Sequence, residues 1–224
     1  MRDWYLKVFT FLFLMAVVSS CKLEGDVLPP GATATGTNPG TDPTTITGEY
    51  YFKGTLNGQA LAWQTTDGVK GWVIGSAAAT SNNAGDITGS LSALISQAQT
   101  LNPQIGVEFG TYHVLPTDDK KAIFNAFIKT GVLAFGTDHN AIDAKFINIS
   151  YTDSQGNFYT SATGTQTGSS ANIISVTPVP ATLGSGATLK IKLTFNCKLY
   201  SIDASAPALT LTNAEATVSL ENLL

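Results

Sequence analysis

The feature that most constrains the fold is a stretch of twelve residues in which apolar and polar side chains alternate without interruption. The two sets are Leu189, Ile191, Leu193, Phe195, Cys197 and Leu199 against Thr188, Lys190, Lys192, Thr194, Asn196 and Lys198. Because successive side chains of a strand point to opposite faces of its sheet, the pattern predicts a long strand with one dry and one wet face. Cys197 falls on the dry face, which predicts a buried structural thiol.

Shorter segments with the same period of two recur from Glu49 onward, separated by turn-forming residues. Asn57-Gly58 joins the first two, and both residues accept the positive φ angles of a type I′ hairpin turn. One stretch, Asp119–Lys129, has helical spacing instead, with carboxylates to cap its start. The sequence therefore predicts a mainly β antiparallel sandwich with at most one short helix, and a closed lipocalin-like barrel is the alternative.

Two boundaries near the carboxyl end are also predicted. Pro178 and Pro180 should end the strand that contains Asn172–Thr177, because proline has no N–H to donate to a sheet. Two separate strands, Ala208–Thr212 and Ala216–Leu220, should close the domain.

The amino terminus has the features of a secretion signal. Arg2 and Lys7 form a positive region, and Val8–Val18 is a run of 11 residues that is apolar except for one threonine. Such a run is too short to span a bilayer, which takes roughly 20 apolar residues, and suits the apolar region of a signal peptide. An ordinary signal peptide would be cut at a small-residue site near the end of this run.

The run leads into Val18-Ser19-Ser20-Cys21, a branched apolar residue, two small residues and a cysteine. This order resembles the bacterial lipobox, in which the cysteine sulfur receives a diacylglycerol and the chain is cleaved just before it. The resemblance implies that residues 1–20 are removed and that lipidated Cys21 anchors the protein to a bilayer. Several acyl chains make a persistent anchor, whereas one gives only marginal binding.

Residues 21–48 are rich in threonine, glycine and proline and lack hydrophobic periodicity, so they are predicted to form a flexible tether. Residues 49–224 are predicted to form a single β-domain. The leader contains two of the 12 basic residues and one of the 16 acidic residues, so the mature chain has a formal charge of −5. All ten remaining basic residues are lysines, which argues against a nucleic-acid partner.

Several short motifs accompany the lipobox and the tether: Phe52–Ala60, Ile149–Asp153, Gly164–Gln166 and Thr194–Cys197. Together they resemble small β-rich lipoproteins of the Bacteroidetes. The resemblance covers most of residues 49–222 and implies an outer-membrane or surface lipoprotein with a domain of unassigned function. It supplies no catalytic residues.

The sequence contains no recognisable catalytic or metal-binding motif. It lacks a Gly-x-Ser-x-Gly elbow, a zinc-hydrolase His-Glu-x-x-His pair and a phosphate-cradling Gly-x-x-x-x-Gly-Lys loop. His113 is predicted in a strand and His139 in a polar loop, where three oxygen donors fall short of a calcium site. Glu108 with Asp118 or Asp119 is a conceivable acid pair for a glycosidase. No catalytic residue, metal or cofactor is therefore predicted.

Aromatic side chains offer a more plausible binding surface, because their faces suit the C–H surfaces of ligands that include sugars. The adjacent pairs Tyr50-Tyr51 and Phe158-Tyr159 should each place one ring outside a strand. We expect Tyr51 and Tyr159 to be the outward rings, and we add Trp63 and Trp72 as candidate ligand-binding residues.

Three functions remain open at this point. The first is a non-enzymatic lipoprotein, anchored to the bacterial outer membrane or cell surface, whose β-domain binds or presents a glycan or protein ligand. The second is a glycan-binding accessory module, which needs a cluster of exposed aromatic rings. The third is a hydrolase, which needs acids, or an acid and a histidine, converging in a pocket.

Overall fold

The structure is a computed structural model that describes residues 46, 48–64, 73–81, 85–96, 102–136, 145–179, 188–203 and 206–221. These residues belong to one compact unit. The lipobox residues Val18, Ser19, Ser20 and Cys21, most of the tether, Trp72 and His139 lie outside the described residues.

The described part of the chain contains one helix, α1 (Lys120–Phe127), and eleven strands. The strands are β1 (Tyr51–Leu56), β2 (Gln59–Gln64), β3 (Val73–Ser81), β4 (Ile87–Ser96), β5 (Gln104–Val114), β6 (Gly131–Val132), β7 (Lys145–Thr152), β8 (Phe158–Thr160), β9 (Ser170–Val179), β10 (Thr188–Ser201) and β11 (Leu209–Glu221). Within these residues, no helix combines the length and apolar character that crossing a membrane requires.

The strands form a single open antiparallel sheet in the order β2-β1-β11-β10-β8-β7-β5-β4-β3. Off this path, β9 pairs with β10, and β6 pairs with β9. Most of β10 pairs with β11 and β9, but its last residues, Tyr200 and Ser201, pair with β8. We call β1, β2, β6, β9, β10 and β11 the β10 half of the sheet, and β3, β4, β5, β7 and β8 the β5 half.

The two halves contribute to one hydrophobic core. The predicted dry face of β10 is buried throughout, and Cys197 lies in it. From the same half, Phe52 packs on Trp63 and Phe195 at ring-centroid distances of 5.4 and 6.3 Å. Buried residues of β5 and β7, such as Val107 and Ile149, belong to the same cluster. The predicted mainly β antiparallel class, of sandwich or barrel type, is confirmed, with one short helix among the described residues.

The predicted hairpin turn and helix are also present. Asn57 and Gly58 have φ angles of 47° and 82°, as a type I′ turn requires. The Asp119 side chain accepts a hydrogen bond from the Ala122 N–H at 3.0 Å and so caps α1. Phe124 and Phe127 are the buried residues of the helix. The helix ends at Phe127, two residues before the predicted boundary, because Ile128 is extended and buried.

Two predicted boundaries were wrong. Strand β9 continues through Pro178, which pairs with Leu189, whereas β6 pairs only with Ile173 and Asn172 on the other side of β9. Pro178 is tolerated because no described strand pairs with it on the side away from β10, where an N–H would be needed. Strand β11 is continuous rather than split in two. It passes through a bulge at Asn213, where φ is 50° and the Asn196 side chain accepts the Asn213 N–H at 2.7 Å.

Candidate functional site

A groove with a volume of about 700 Å³ lies on the outer face of the β5 half, across β4, β5, β7 and β8. Side chains point alternately to the two faces of each strand, and this alternation determines which of them line the groove. Ile105 and Val107 of β5 are buried in the core, so Gly106 and Glu108 point outward into the groove. By the same alternation, Asn148 and Ser150 of β7 also point into the groove. A volume of this size falls within the range of small-molecule sites.

Small side chains make the groove concave. Gly106 pairs with Ser150 across β5 and β7, and a Cβ on Gly106 would overlap the Ser150 Oγ. Ser90 and Ser92 of β4 continue this row of small residues. The floor is therefore low and carries hydroxyl groups beside Gly106, and Leu94 of β4 borders it.

The polar centre of the groove is the pair Glu108 and Asn148, which are directly opposite each other in the ladder between β5 and β7. The Asn148 Nδ2 donates a long hydrogen bond of 3.4 Å to the Glu108 Oε2. This contact fixes the amide orientation, because the flipped amide would set an oxygen against the carboxylate. Asn148 is only 4% exposed, and its Oδ1 has no hydrogen-bond partner. Burying an acceptor without a partner costs about 1–3 kcal/mol.

The wall of the groove beyond β8 is apolar and partly exposed. Phe158 is 39% exposed and Ile202 is 63% exposed. The Ile202 N–H donates to the Phe158 carbonyl at 3.4 Å, which places the two residues side by side. Ala162 and Thr163 complete this wall. It presents an exposed aromatic ring and an aliphatic side chain next to the polar floor.

The loop that carries this wall is held by specific contacts. The Gln166 Nε2 donates to the carbonyls of Ser161 and Lys198 at 3.0 and 2.8 Å. The Tyr200 hydroxyl donates to the Thr165 carbonyl at 2.7 Å, and its ring lies so close to Gly164 that a Cβ there would be 2.6 Å away. These contacts hold the loop that contributes Ala162 and Thr163 to the wall.

Of the four candidate aromatic residues predicted from the sequence, the three that the structure describes do not come together here. Trp63 is only 7% exposed and packs on Phe52, so its assignment as a ligand-binding residue is corrected to a core residue. The expectation that Tyr159 is the outward ring was wrong. Tyr159 pairs with Tyr151 and packs against the core, and its neighbour Phe158 is exposed instead. Trp72 lies outside the described residues.

Tyr51 is partly exposed on the outer face of the other half of the sheet, where its hydroxyl donates to the Glu215 carboxylate. Lys53 and Lys192 each place their Nζ 3.4 Å from the same carboxylate. Burial alone would raise the pKa of Glu215, but the Tyr51 hydrogen bond and the two lysine charges lower it below its ordinary value. Tyr51 is therefore part of an ion-pair network that does not border the groove.

The remaining titratable groups considered from the sequence have separate structural contacts. The His113 Nε2 lies 3.5 Å from the Asp86 carboxylate. Asp118 accepts the Leu115 N–H at 2.8 Å, and Asp119 caps α1. Burial raises the pKa of the Cys197 thiol to about 12. Among the described residues, no group of three or more potential metal ligands is found.

A second, smaller cavity of about 220 Å³ lies where α1 ends near β6. The Lys145 Nζ lies 5.6 Å from the centroid of the Phe127 ring at this place. Phe127 also packs on Tyr112 at 5.6 Å, so the cavity borders core packing. It offers less room, and none of its described lining residues has a buried side-chain polar atom without a hydrogen-bond partner, so the larger groove is the better candidate.

Sequence reasoning missed Phe158, Asn148 and Ile202 as site residues. A signal for Phe158 was present in the hairpin between β7 and β8, because Tyr151 belongs to the apolar face of β7. Its partner Tyr159 must share that face, and Phe158 must then lie outside. Nothing in the sequence places Ile202 beside Phe158, since that contact depends on β10 reaching β8.

No model of a protein family, no curated protein and no solved structure matches this chain. The chemical properties inferred for the groove therefore rest on the residues that form it.

Proposed function

We propose that this chain is a lipoprotein of the bacterial outer membrane or cell surface, anchored by lipidated Cys21, whose β-domain binds or presents a ligand without catalysing a reaction. The anchor is supported by the leader, its apolar run of 11 residues and the Val18-Ser19-Ser20-Cys21 motif. The binding function is supported by the groove on the β5 half.

The observation that carries the binding proposal is the buried, unpartnered Oδ1 of Asn148 at the groove floor. Buried polar atoms are nearly always hydrogen-bonded, and an exception calls for an explanation. A ligand that donates a hydrogen bond to this oxygen would explain the exception, because binding then removes the cost of the buried, unpartnered acceptor that the free protein bears.

The absence of catalysis is proposed from the arrangement of the acids and histidine that are described. Among the described residues, Glu108 is the one acid that lines the groove, and His113 is beside Asp86 instead. Hydrolysis of a glycosidic bond ordinarily needs two carboxylates on opposite sides of the bond. A single carboxylate next to an amide fits recognition better than acid–base chemistry.

The anchor is tested by mass spectrometry of the protein extracted from membranes. We expect a mature chain that begins at Cys21 and carries acyl groups, and we expect Cys21→Ser to release the protein from the membrane fraction. An unmodified amino terminus at another residue would contradict the anchor and leave the groove unaffected.

The site is tested with the mature chain carrying Cys21→Ser, screened against glycans, peptides and small molecules. Ser150→Phe places a large ring on the groove floor and should abolish binding of any ligand found. Thr194→Phe is the matched control, since Thr194 lies on the outer wet face of β10. Equal binding by both variants would show that the ligand binds elsewhere.

A glycan-binding module is the second candidate function. It is favoured by the exposed Phe158 ring beside the carboxylate and hydroxyl groups of the floor. Nucleic acid is not proposed as a partner, because the mature chain is acidic and contains no arginine.

A further inference from the structure

We infer that the ligand of the groove is a neutral oligosaccharide of two or more rings, recognised by hydroxyl donation to Asn148 and Glu108 and by packing of a sugar face on Phe158. This inference rests on the proposed function, since it names the ligand class for the same groove. It assigns Asn148, Glu108 and Phe158 as the residues that determine specificity.

The polar centre selects for hydrogen-bond donors. The Asn148 Oδ1 accepts nothing in the protein, and the Asn148 Nδ2 is already directed to Glu108. The carboxylate of Glu108 is an acceptor with several lone-pair positions, and the hydroxyls of Ser90 and Ser150 can donate or accept. Vicinal sugar hydroxyls match this arrangement, because each can donate to one protein acceptor while accepting from a serine.

The charge of the groove argues against an anionic ligand. Its lining contains one carboxylate and no lysine, arginine or histidine among the described residues. A sulfate, phosphate or uronate group would therefore approach the Glu108 carboxylate with no cationic side chain among the described lining residues, which disfavours binding. A neutral ligand avoids this repulsion.

The wall adds an apolar surface of the kind that sugar C–H faces contact. Phe158 and Ile202 are both exposed at the rim, although large apolar side chains are usually buried. An aromatic ring with one free face gives area and orientation at low conformational cost. The combination of this wall with an acceptor-rich floor favours a ligand with both C–H faces and hydroxyl groups.

The spacing of these contacts sets the minimum length of the ligand. Thr152 is the ladder partner of Phe158, and Asn148 is the ladder partner of Glu108. Thr152 and Asn148 both lie on strand β7. Asn148 and Thr152 are four positions apart, which corresponds to about 13 Å at the usual rise of a strand. One sugar ring is shorter than this distance, so a ligand that reaches both the wall and the polar centre needs at least two rings.

The test uses the mature chain with Cys21→Ser on an array that contains neutral, sulfated and uronate-bearing glycans, followed by calorimetry on the best ligand. We expect neutral oligosaccharides to bind, single sugars to bind much more weakly, and the Kd to stay constant from low to high salt. Glu108→Gln and Phe158→Ala should each raise the Kd about tenfold or more. Their controls, Glu49→Gln and Val132→Ala, alter an exposed acid and an exposed apolar residue on the other half of the sheet and should leave the Kd unchanged.

A third variant separates recognition from folding. Asn148→Leu has a similar volume and removes the unpartnered oxygen, so it should keep or raise Tm while raising the Kd at least tenfold. Loss of both properties would show that Asn148 acts in folding, and retention of affinity would overturn its role in recognition.

The outcomes distinguish this inference from the proposed function. Binding of an anionic glycan, or of a salt-sensitive cationic peptide, in a manner blocked by Ser150→Phe would overturn the oligosaccharide inference and retain the groove as a binding site. Glycan binding that Ser150→Phe does not affect would overturn both.

Discussion

The ring of Tyr112 lies across the ladder from Gly89, so close that a Cβ on Gly89 would stand 2.9 Å from two of its ring carbons. Tyr112 is fully buried, and its hydroxyl has no hydrogen-bond partner. The glycine therefore provides the space that the aromatic ring fills. The two residues form one packing unit between β4 and β5, the strands that support the groove floor.

Gly89→Ala is expected to destabilise the protein by about 1–3 kcal/mol, because the added methyl group must displace the Tyr112 ring in a packed core. Urea unfolding followed by circular dichroism measures the loss. The cost should largely disappear when Gly89→Ala is made in a Tyr112→Leu background, where the ring is absent. Equal costs in both backgrounds would show that the ring is not the cause.

Tyr112→Phe is expected to keep or raise Tm at neutral pH, because it removes a buried hydroxyl without a partner and keeps the ring. Burial also raises the pKa of Tyr112 to about 12 from 10.0. A raised folded-state pKa favours folding below the unfolded-state value, and this contribution is lost as the pH rises from about 10 toward 12.

The variant should accordingly lose less stability than the parent over that alkaline range. Tm measured at intervals from neutral pH to pH 12 gives the comparison. Tyr159→Phe, which alters a tyrosine on β8, serves as the control. A drop in neutral-pH Tm for Tyr112→Phe would contradict the absence of a partner.

Cys197 is expected to be unreactive in the folded protein. Its side chain is buried, and the pKa of its thiol is raised to about 12, so the nucleophilic thiolate is scarce at neutral pH. In the Cys21→Ser chain it is the only thiol, since the sequence contains two cysteines. Labelling with a thiol reagent should be negligible until denaturant unfolds the protein. Rapid labelling under native conditions would contradict the buried position.

Much of the fold could be predicted because its signals are local. The alternation that defines β10 follows from side chains two residues apart, and the Asn57-Gly58 turn follows from the φ angles that two residues accept. The helix cap at Asp119 is likewise a contact within three residues. Each of these features depends on neighbours in the sequence, and the structure has all three.

The groove could not be predicted because it depends on pairing between distant strands. Glu108 and Asn148 become neighbours only through the register of β5 against β7, and Phe158 meets Ile202 only because β10 reaches β8. The prediction that Trp63 binds a ligand was wrong for a related reason. Trp63 shares a face of the hairpin with its neighbour Phe52, and that face could equally have been open to solvent. Non-local register determines whether an aromatic side chain is a core residue or a surface residue.

The stability of the β10 half in acid is expected to depend on Glu215. Glu215 accepts the Tyr51 hydroxyl and lies 3.4 Å from both Lys53 Nζ and Lys192 Nζ. Burial tends to raise the pKa of Glu215, but these partners lower it below the ordinary value of a glutamate. A lowered folded-state pKa stabilises the protein above the unfolded-state pKa of about 4.3, and this stabilisation is lost as the pH falls through the folded-state value.

Glu215→Gln removes the titrating group and leaves a side chain of the same size that can still accept the Tyr51 hydroxyl. We therefore expect a lower Tm than the parent at pH 7 and a Tm that falls less steeply between pH 5 and pH 2. Tyr51→Phe should give an intermediate profile, because it removes the hydrogen bond and leaves both lysine charges. Glu49→Gln, at an exposed acid that pairs with Lys190 at 2.9 Å, tests whether the effect is specific to Glu215. Parallel acid profiles for the parent and Glu215→Gln would show that the network does not stabilise the fold.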